Sequence, residues 1–240
     1  MQFPALPLPD HYDPASLARV WKVPYESRAA EARRWAERYQ LQPAAQDRIK
    51  LGLLLIDVQN TFCLPDFELF VGGRSGAGAL DDNRRLVEFI YRNLGSLSSI
   101  TATLDTHQAL QIFHALFLVD RAGNPPPPYT QVSAEDVASR RWQVNPSLAQ
   151  QLGLSAEQAA AHLAHYTGQL EQSGKYNLTI WPYHALLGGI GHALVSAVEE
   201  ALFFHTIARF SQPEFILKGS HPLTEHYSAV GPEVLTGTDG

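Results

Sequence analysis

Apolar positions in this chain fall into short unbroken runs separated by stretches of helical spacing, the pattern of alternating strands and helices. The runs at residues 51–56 (LGLLLI), 98–104 (SSITATL) and 215–217 (FIL) stop at Asp57, Asp105 and Lys218. The first, a strand over about 50–57, has the continuous aliphatic character of a central strand covered by helices on both faces. Strong helix formers predict a surface helix over residues 26–39. Asp81 or Asp82 is expected to cap a helix through Leu86, Phe89, Ile90 and Leu94, closed by Gly95. Ser155 is expected to cap another through Ala159, His162 or Leu163, and Tyr166. Leu194, Val198, Ala201, Leu202, His205 and Ala208 form the stripe of the clearest helix, which Pro213 ends. Residues 177–181 read as a further strand. Residues 1–24 read as an extended arm, and 119–147 as a long polar loop stiffened by the prolines at 125–128. The alternation predicts an α/β fold, a three-layer α/β/α doubly wound parallel sheet. It occupies residues 49–240, preceded by an arm and helix over 1–48.

Composition narrows the function without specifying it. The 240 residues carry 18 basic and 24 acidic side chains, a net charge of −6, and no basic cluster forms, so nucleic acid is not an expected partner. No apolar run approaches the roughly 20 residues that span a bilayer. The proline-broken start lacks the basic region of a signal peptide, and a cytoplasmic protein without membrane association is expected. The single cysteine, Cys63, excludes an intramolecular disulfide framework and a cysteine-based zinc site. A homo-oligomer stays open.

Chemistry gathers where the apolar runs stop. In an open parallel α/β sheet, ligands bind beyond the carboxyl ends of the strands. Asp105 and His107 lie two apart and so face the same way on an extended strand end. His114 follows after a short loop, and His184 follows another predicted strand. Aspartate with several histidines suits zinc, iron or manganese. Asp57 and Lys218 read either as an interior ion pair or as a general base with a supporting cation, and spacing alone does not choose. Phe62 and Trp181 adjoin these groups and read as core packing or as walls for a flat ring. His162 and His165 complete no ligand set and are expected at the surface. His192 and His205 are expected as packed or capping groups, and His221 and His226 as loop residues.

The residues 57–63 (DVQNTFC) resemble the segment that opens nicotinamidases and the wider isochorismatase-like cysteine hydrolases. Asp105-Thr106-His107 with His114-Ala115-Leu116-Phe117 resembles that family's metal segment. Trp181-Pro182-Tyr183-His184 resembles its second metal segment, and Leu217-Lys218-Gly219 the strand bearing its lysine. The resemblance covers about residues 50–235. It implies a metal-assisted amidohydrolase acting on a small amide through a Cys–Asp–Lys triad. Asp57 would be the base and Lys218 the stabilising cation. Asp105, His107, His184 and His114 would hold the divalent metal, with Phe62 and Trp181 sandwiching a pyridine-like ring. All of these groups are expected in one pocket.

The sequence departs from that family at several places. Thr61 stands where a second acid is usual, Ala185 where a cysteine is common, and about seventy residues separate His114 from His184. The family's nucleophile begins a helix some forty residues beyond the lysine, which lies past Gly240, and Cys63 matches a non-catalytic position. A fragment or truncated form of a longer hydrolase is therefore expected, inactive by itself. An isochorismatase-type or other small-molecule hydrolase, and a catalytically dead metal- and ligand-binding homologue, are the alternatives.

Overall fold

The computed structural model describes residues 5–174, 176–229 and 231–238. The first four residues of the expected arm lie outside these. In chain order the elements are α1 (Tyr25–Tyr39), β1 (Gly52–Ile56), α2 (Asn60–Cys63), α3 (Gly78–Arg92), β2 (Ser99–Asp105), β3 (Leu118–Val119), β4 (Gln131–Val132), α4 (Ala134–Ala138), β5 (Gln143–Val144), α5 (Pro146–Gln151), α6 (Ala156–Ser173), β6 (Leu178–Thr179), α7 (Ser196–Arg209) and β7 (Glu214–Lys218). The chain divides into two compact units. The first comprises Met1–Asp105 and Gly188–Leu217, the second Thr106–Leu187 and Lys218–Gly240.

The first unit has the mixed α/β architecture that the alternation predicts. β1 and β2 pair in parallel from Gly52↔Ser99 to Ile56↔Thr103, within a sheet ordered β1-β2-β7. Register puts Leu55, Ile100, Ala102 and Leu104 on one face, where α1, α3 and α7 cover them. The apolar stripe expected of α7 is buried as read, from Leu194 through Val198, Ala201 and Leu202 to His205 and Ala208. Ile90, Leu94 and Leu97 are fully enclosed, and each such side chain contributes roughly 1.5–3 kcal/mol by leaving water. α1 buries Ala29, Ala32 and Trp35 at helical spacing and stops at Gln40, which is left-handed with φ 51°.

Several local expectations give way here. β1 lies at one end of the described strand order, and Leu54 and Ile56 on its other face are 50% and 56% exposed. An aliphatic run records strand propensity; which faces are covered depends on packing partners elsewhere in the chain. α3 starts at Gly78 without a side-chain cap, so Asp81 and Asp82 lie within its first turns, paired with Arg84 and Arg85. Acidic groups favour that end of a helix through its dipole as well as by capping, and the two roles look alike in sequence. α3 closes at Asn93, not Gly95.

The second unit has its own core of Ile112, Phe117, Leu118, Val132, Leu163, Leu170, Leu178 and Ile180. Residues 119–147, expected as loop, contain β4, α4, β5 and the start of α5. Elements this short carry too few residues for a readable period. β6 pairs antiparallel with β4 (Gln131↔Thr179), and β3 pairs antiparallel with β5 (Leu118↔Val144). Ser155 caps α6 as expected. Its hydroxyl accepts the Gln158 N–H while the Gln158 side chain accepts the Ser155 N–H, and Gly174 ends the helix with φ 68°.

Candidate functional site

β2 ends at Asp105 and the chain passes directly to Thr106 and His107. Thr106 N–H donates to the Lys218 carbonyl at 2.8 Å and His107 N–H to the Ala185 carbonyl at 3.0 Å, which fixes His107 beside the segment carrying His184. The His107 and His184 ring centroids are 4.7 Å apart. His114 lies 6.1 Å from the first and 5.7 Å from the second. All three rings are buried.

The nitrogens of these rings are sorted by the backbone. His107 Nδ1 meets the Gly219 carbonyl at 2.9 Å, His114 Nδ1 the Gln108 carbonyl at 3.0 Å, and His184 Nδ1 the Pro182 carbonyl at 2.8 Å. A carbonyl can only accept, so each Nδ1 donates its N–H, the arrangement in which a metal-ligating histidine presents Nε2. Gly219, with φ 79°, adopts a left-handed turn immediately after Lys218 and offers its carbonyl to His107. His114 Nε2 is buried with no hydrogen-bond partner among the described residues. Burial, reinforced by the neighbouring His184 and His107, lowers His114 to about 4 and keeps it neutral.

One ligand atom each from buried Asp105, His107 and His184 lies within 4.8 Å of the others. This donor set fits a divalent metal of the zinc, iron or manganese type. His114 stands beside that group and is not a member of it. Asp105 is held by Gln59: the Asp105 N–H donates to Gln59 Oε1 at 2.7 Å, and Gln59 Nε2 donates to the Asp105 carbonyl at 2.8 Å.

The remaining candidates divide between the units. In the first, Asp57 follows β1 with a left-handed φ of 52°, a conformation that costs a non-glycine residue about 1 kcal/mol or more. Its carboxylate accepts the Thr103 hydroxyl at 2.6 Å. Asp57, Phe62 and Cys63 line one cavity of about 490 Å³, together with Asp82, Asn83 and Arg85. Cys63 is buried, and burial pushes its thiol up to about 11, the reverse of what a nucleophile requires. The Thr61 hydroxyl, where the second acid was expected, donates to Glu68 at 2.9 Å.

In the second unit, Lys218 is buried at the end of β7 and donates to the His226 carbonyl at 3.2 Å. The Trp181 indole N–H donates to the Tyr227 hydroxyl at 2.7 Å. His162 and His165 bond to the carbonyls of Leu223 and Thr236. His162 is half-buried and thus differs from the surface residue expected, because α6 turns that face toward the segment after β7. In the first unit, His205 is packed and bonded to the Leu97 carbonyl, as expected.

Sequence reasoning passed over Gln59, Gln111 and Glu225. Gln111 donates to the Gly219 carbonyl at 2.6 Å and so braces the same turn as His107. Gln59 sits within the quoted DVQN segment, the one signal that could have found it. Gln111 and Glu225 carry none.

No family model matches the chain, and no curated protein does. Among solved structures, a nicotinamidase/pyrazinamidase of Acinetobacter baumanii is similar at 18% identity with a TM-score of 0.42, covering 78% of this chain and 60% of that one. The yeast nicotinamidase Pnc1p bound to nicotinaldehyde is similar at 16% identity with a TM-score of 0.45, covering 75% and 62%. The chain therefore spans about 60% of the length of these structures. Among the described residues, no helix is long and apolar enough to cross a membrane.

Proposed function

We propose that this chain carries the metal-binding and acid–lysine parts of a nicotinamidase-like cysteine amidohydrolase, which cleaves a small amide to acid and ammonia. The observation that carries the reading is the buried group of Asp105, His107 and His184, whose ligand atoms lie within 4.8 Å of one another, with each histidine Nδ1 turned to a backbone carbonyl. Asp105, His107 and His184 would hold the ion, with His114 alongside. A bound divalent ion would supply an anchor for a ring nitrogen of the substrate.

The roles of this chain's own residues follow from their chemistry. Asp57 is the base that takes a thiol proton, and its strained backbone is consistent with a position fixed for function. Lys218, buried at the end of β7, is the side chain that would stabilise negative charge. Trp181 offers an aromatic face for a flat ring. In that reaction a cysteine thiolate would add to the amide carbonyl, the carbon–nitrogen bond would break as the nitrogen takes the proton held by the base, and water would then cleave the thioester. Cys63 is not that thiolate.

Elemental analysis of the purified 240-residue chain tests the reading. Stoichiometric zinc, iron or manganese is expected, and His107→Ala or His184→Ala should abolish it. The same chain should release no ammonia from nicotinamide, because its one thiol is buried and protonated. Absence of metal in the parent chain sinks the metal-assisted reading and favours an isochorismatase-type hydrolase.

A further inference from the structure

We infer that Glu225 is a positioning residue that sets the placement of both Lys218 and Trp181 through its neighbours His226 and Tyr227. The inference rests on the roles proposed above for those two side chains. Residues 219–229 belong to no helix or strand, and side-chain bonds add to the few backbone bonds that hold them. Glu225 is 2% exposed and supplies those bonds. Its Oε2 accepts the Tyr227 N–H at 2.9 Å, and its Oε1 accepts the Tyr166 hydroxyl at 3.1 Å. The Glu225 N–H in turn donates to the Tyr166 oxygen at 2.7 Å. Tyr166 is fully buried near the middle of α6, a helix fixed at both ends by its caps. The connection therefore runs from a rigid helix, through a carboxyl group, to two functional side chains. The His226 carbonyl receives Lys218 Nζ, and the Tyr227 hydroxyl receives the Trp181 N–H.

A buried carboxyl group this close to a lysine reads most simply as its ion-pair partner. The contacts point elsewhere. Both Glu225 oxygens are engaged by tyrosine donors, and the contact described for Lys218 on this segment is a main-chain carbonyl. Besides its charge interaction with the lysine, Glu225 fixes where that carbonyl sits. A positioning group of this kind should alter the environment of two side chains at once when its bonds are removed.

The test uses the full chain. Lys218 acylation by acetic anhydride is followed across pH by peptide mass spectrometry, and Trp181 emission is obtained by difference from Trp181→Phe. Metal content is measured in parallel. Glu225→Ala should shift the Lys218 acylation profile and change its rate by about fivefold, the scale of one lost hydrogen bond, while altering Trp181 emission. Glu225→Gln, which keeps one acceptor, should fall between parent and Ala. Tyr227→Phe should alter Trp181 alone, and Tyr166→Phe should alter both readouts, which keeps the inference testable where Glu225→Ala fails to fold. A folded Glu225→Ala or Tyr166→Phe chain with Lys218 and Trp181 unchanged overturns the inference. Loss of metal from the parent chain overturns the proposed function instead, so the two failures are separable.

Discussion

In the first unit, β1 and β2 share an unbroken parallel register from Gly52 to Ile56, and long helices cover one face. In the second, β3, β4, β5 and β6 span two residues each, and side chains bond the main chain where ladders are short. Gln111, His107, His114, His162 and His184 each have a backbone carbonyl as partner. Gln59, His205 and Arg209 do the same in the first unit beside its ladder, so the molecule shows two ways to satisfy backbone acceptors. A regular ladder does so without committing side chains, and so builds a core. Side-chain donors do so while fixing their own orientation, and so build a site.

The largest effect expected from this contrast lies in the first unit. Arg209 is 1% exposed, and its guanidinium lies 2.6 Å from the Asp47 carboxylate. Asp47→Ala would leave that cation buried and should cost about 3–5 kcal/mol, read from urea unfolding and from amide exchange in α7. A cost below about 1 kcal/mol would show that water reaches the guanidinium. In the second unit, Leu163→Ala opens a cavity in the core beneath α6 and should cost about 3 kcal/mol by the same measurement.

A pH dependence separates the units further. Burial raises Glu225 from 4.5 to about 7, partly offset by its bonds to Tyr227 and Tyr166 and by Lys218, with Glu233 adding to the rise. A raised carboxyl pKa means that the folded state binds more protons than the unfolded state between those values. The contribution is present in full below about 4.5 and is lost as pH rises through about 7. Stability of the second unit should therefore fall across that window, and Glu225→Gln should flatten the slope in denaturation curves collected at successive pH. The smallest effect concerns the cap of α6. Ser155→Ala should cost about 1 kcal/mol, and a null result would mean that tertiary contacts alone hold that helix end.

Legibility in the sequence followed the same division. Elements with enough residues to show a period were readable: β1, β2, α1, α6, α7 and β7 all lie where the pattern put them, give or take a few residues. Asp105, His107 and His184, read as metal-type donors from short local segments, come together as a buried group that could hold an ion. His114 was drawn into the same set by its segment, and the fold holds it beside the group. The fragments β3 to β5 were not readable, since a two-residue strand exists only through its partner.

What the sequence determined by itself was therefore local: where strands stop, that Ser155 caps α6, and which residues could bind an ion. The tertiary structure alone decided which ring nitrogen carries the proton, which acid shares a cavity with Cys63, and that Glu225 reaches Tyr166 on α6. Those outcomes depend on carbonyls and hydroxyls brought together from distant segments, as Gly219 is to His107 and Tyr227 to Trp181. Main-chain acceptors are the same at every residue, so no pattern of side chains along the chain can mark which one a given donor will find.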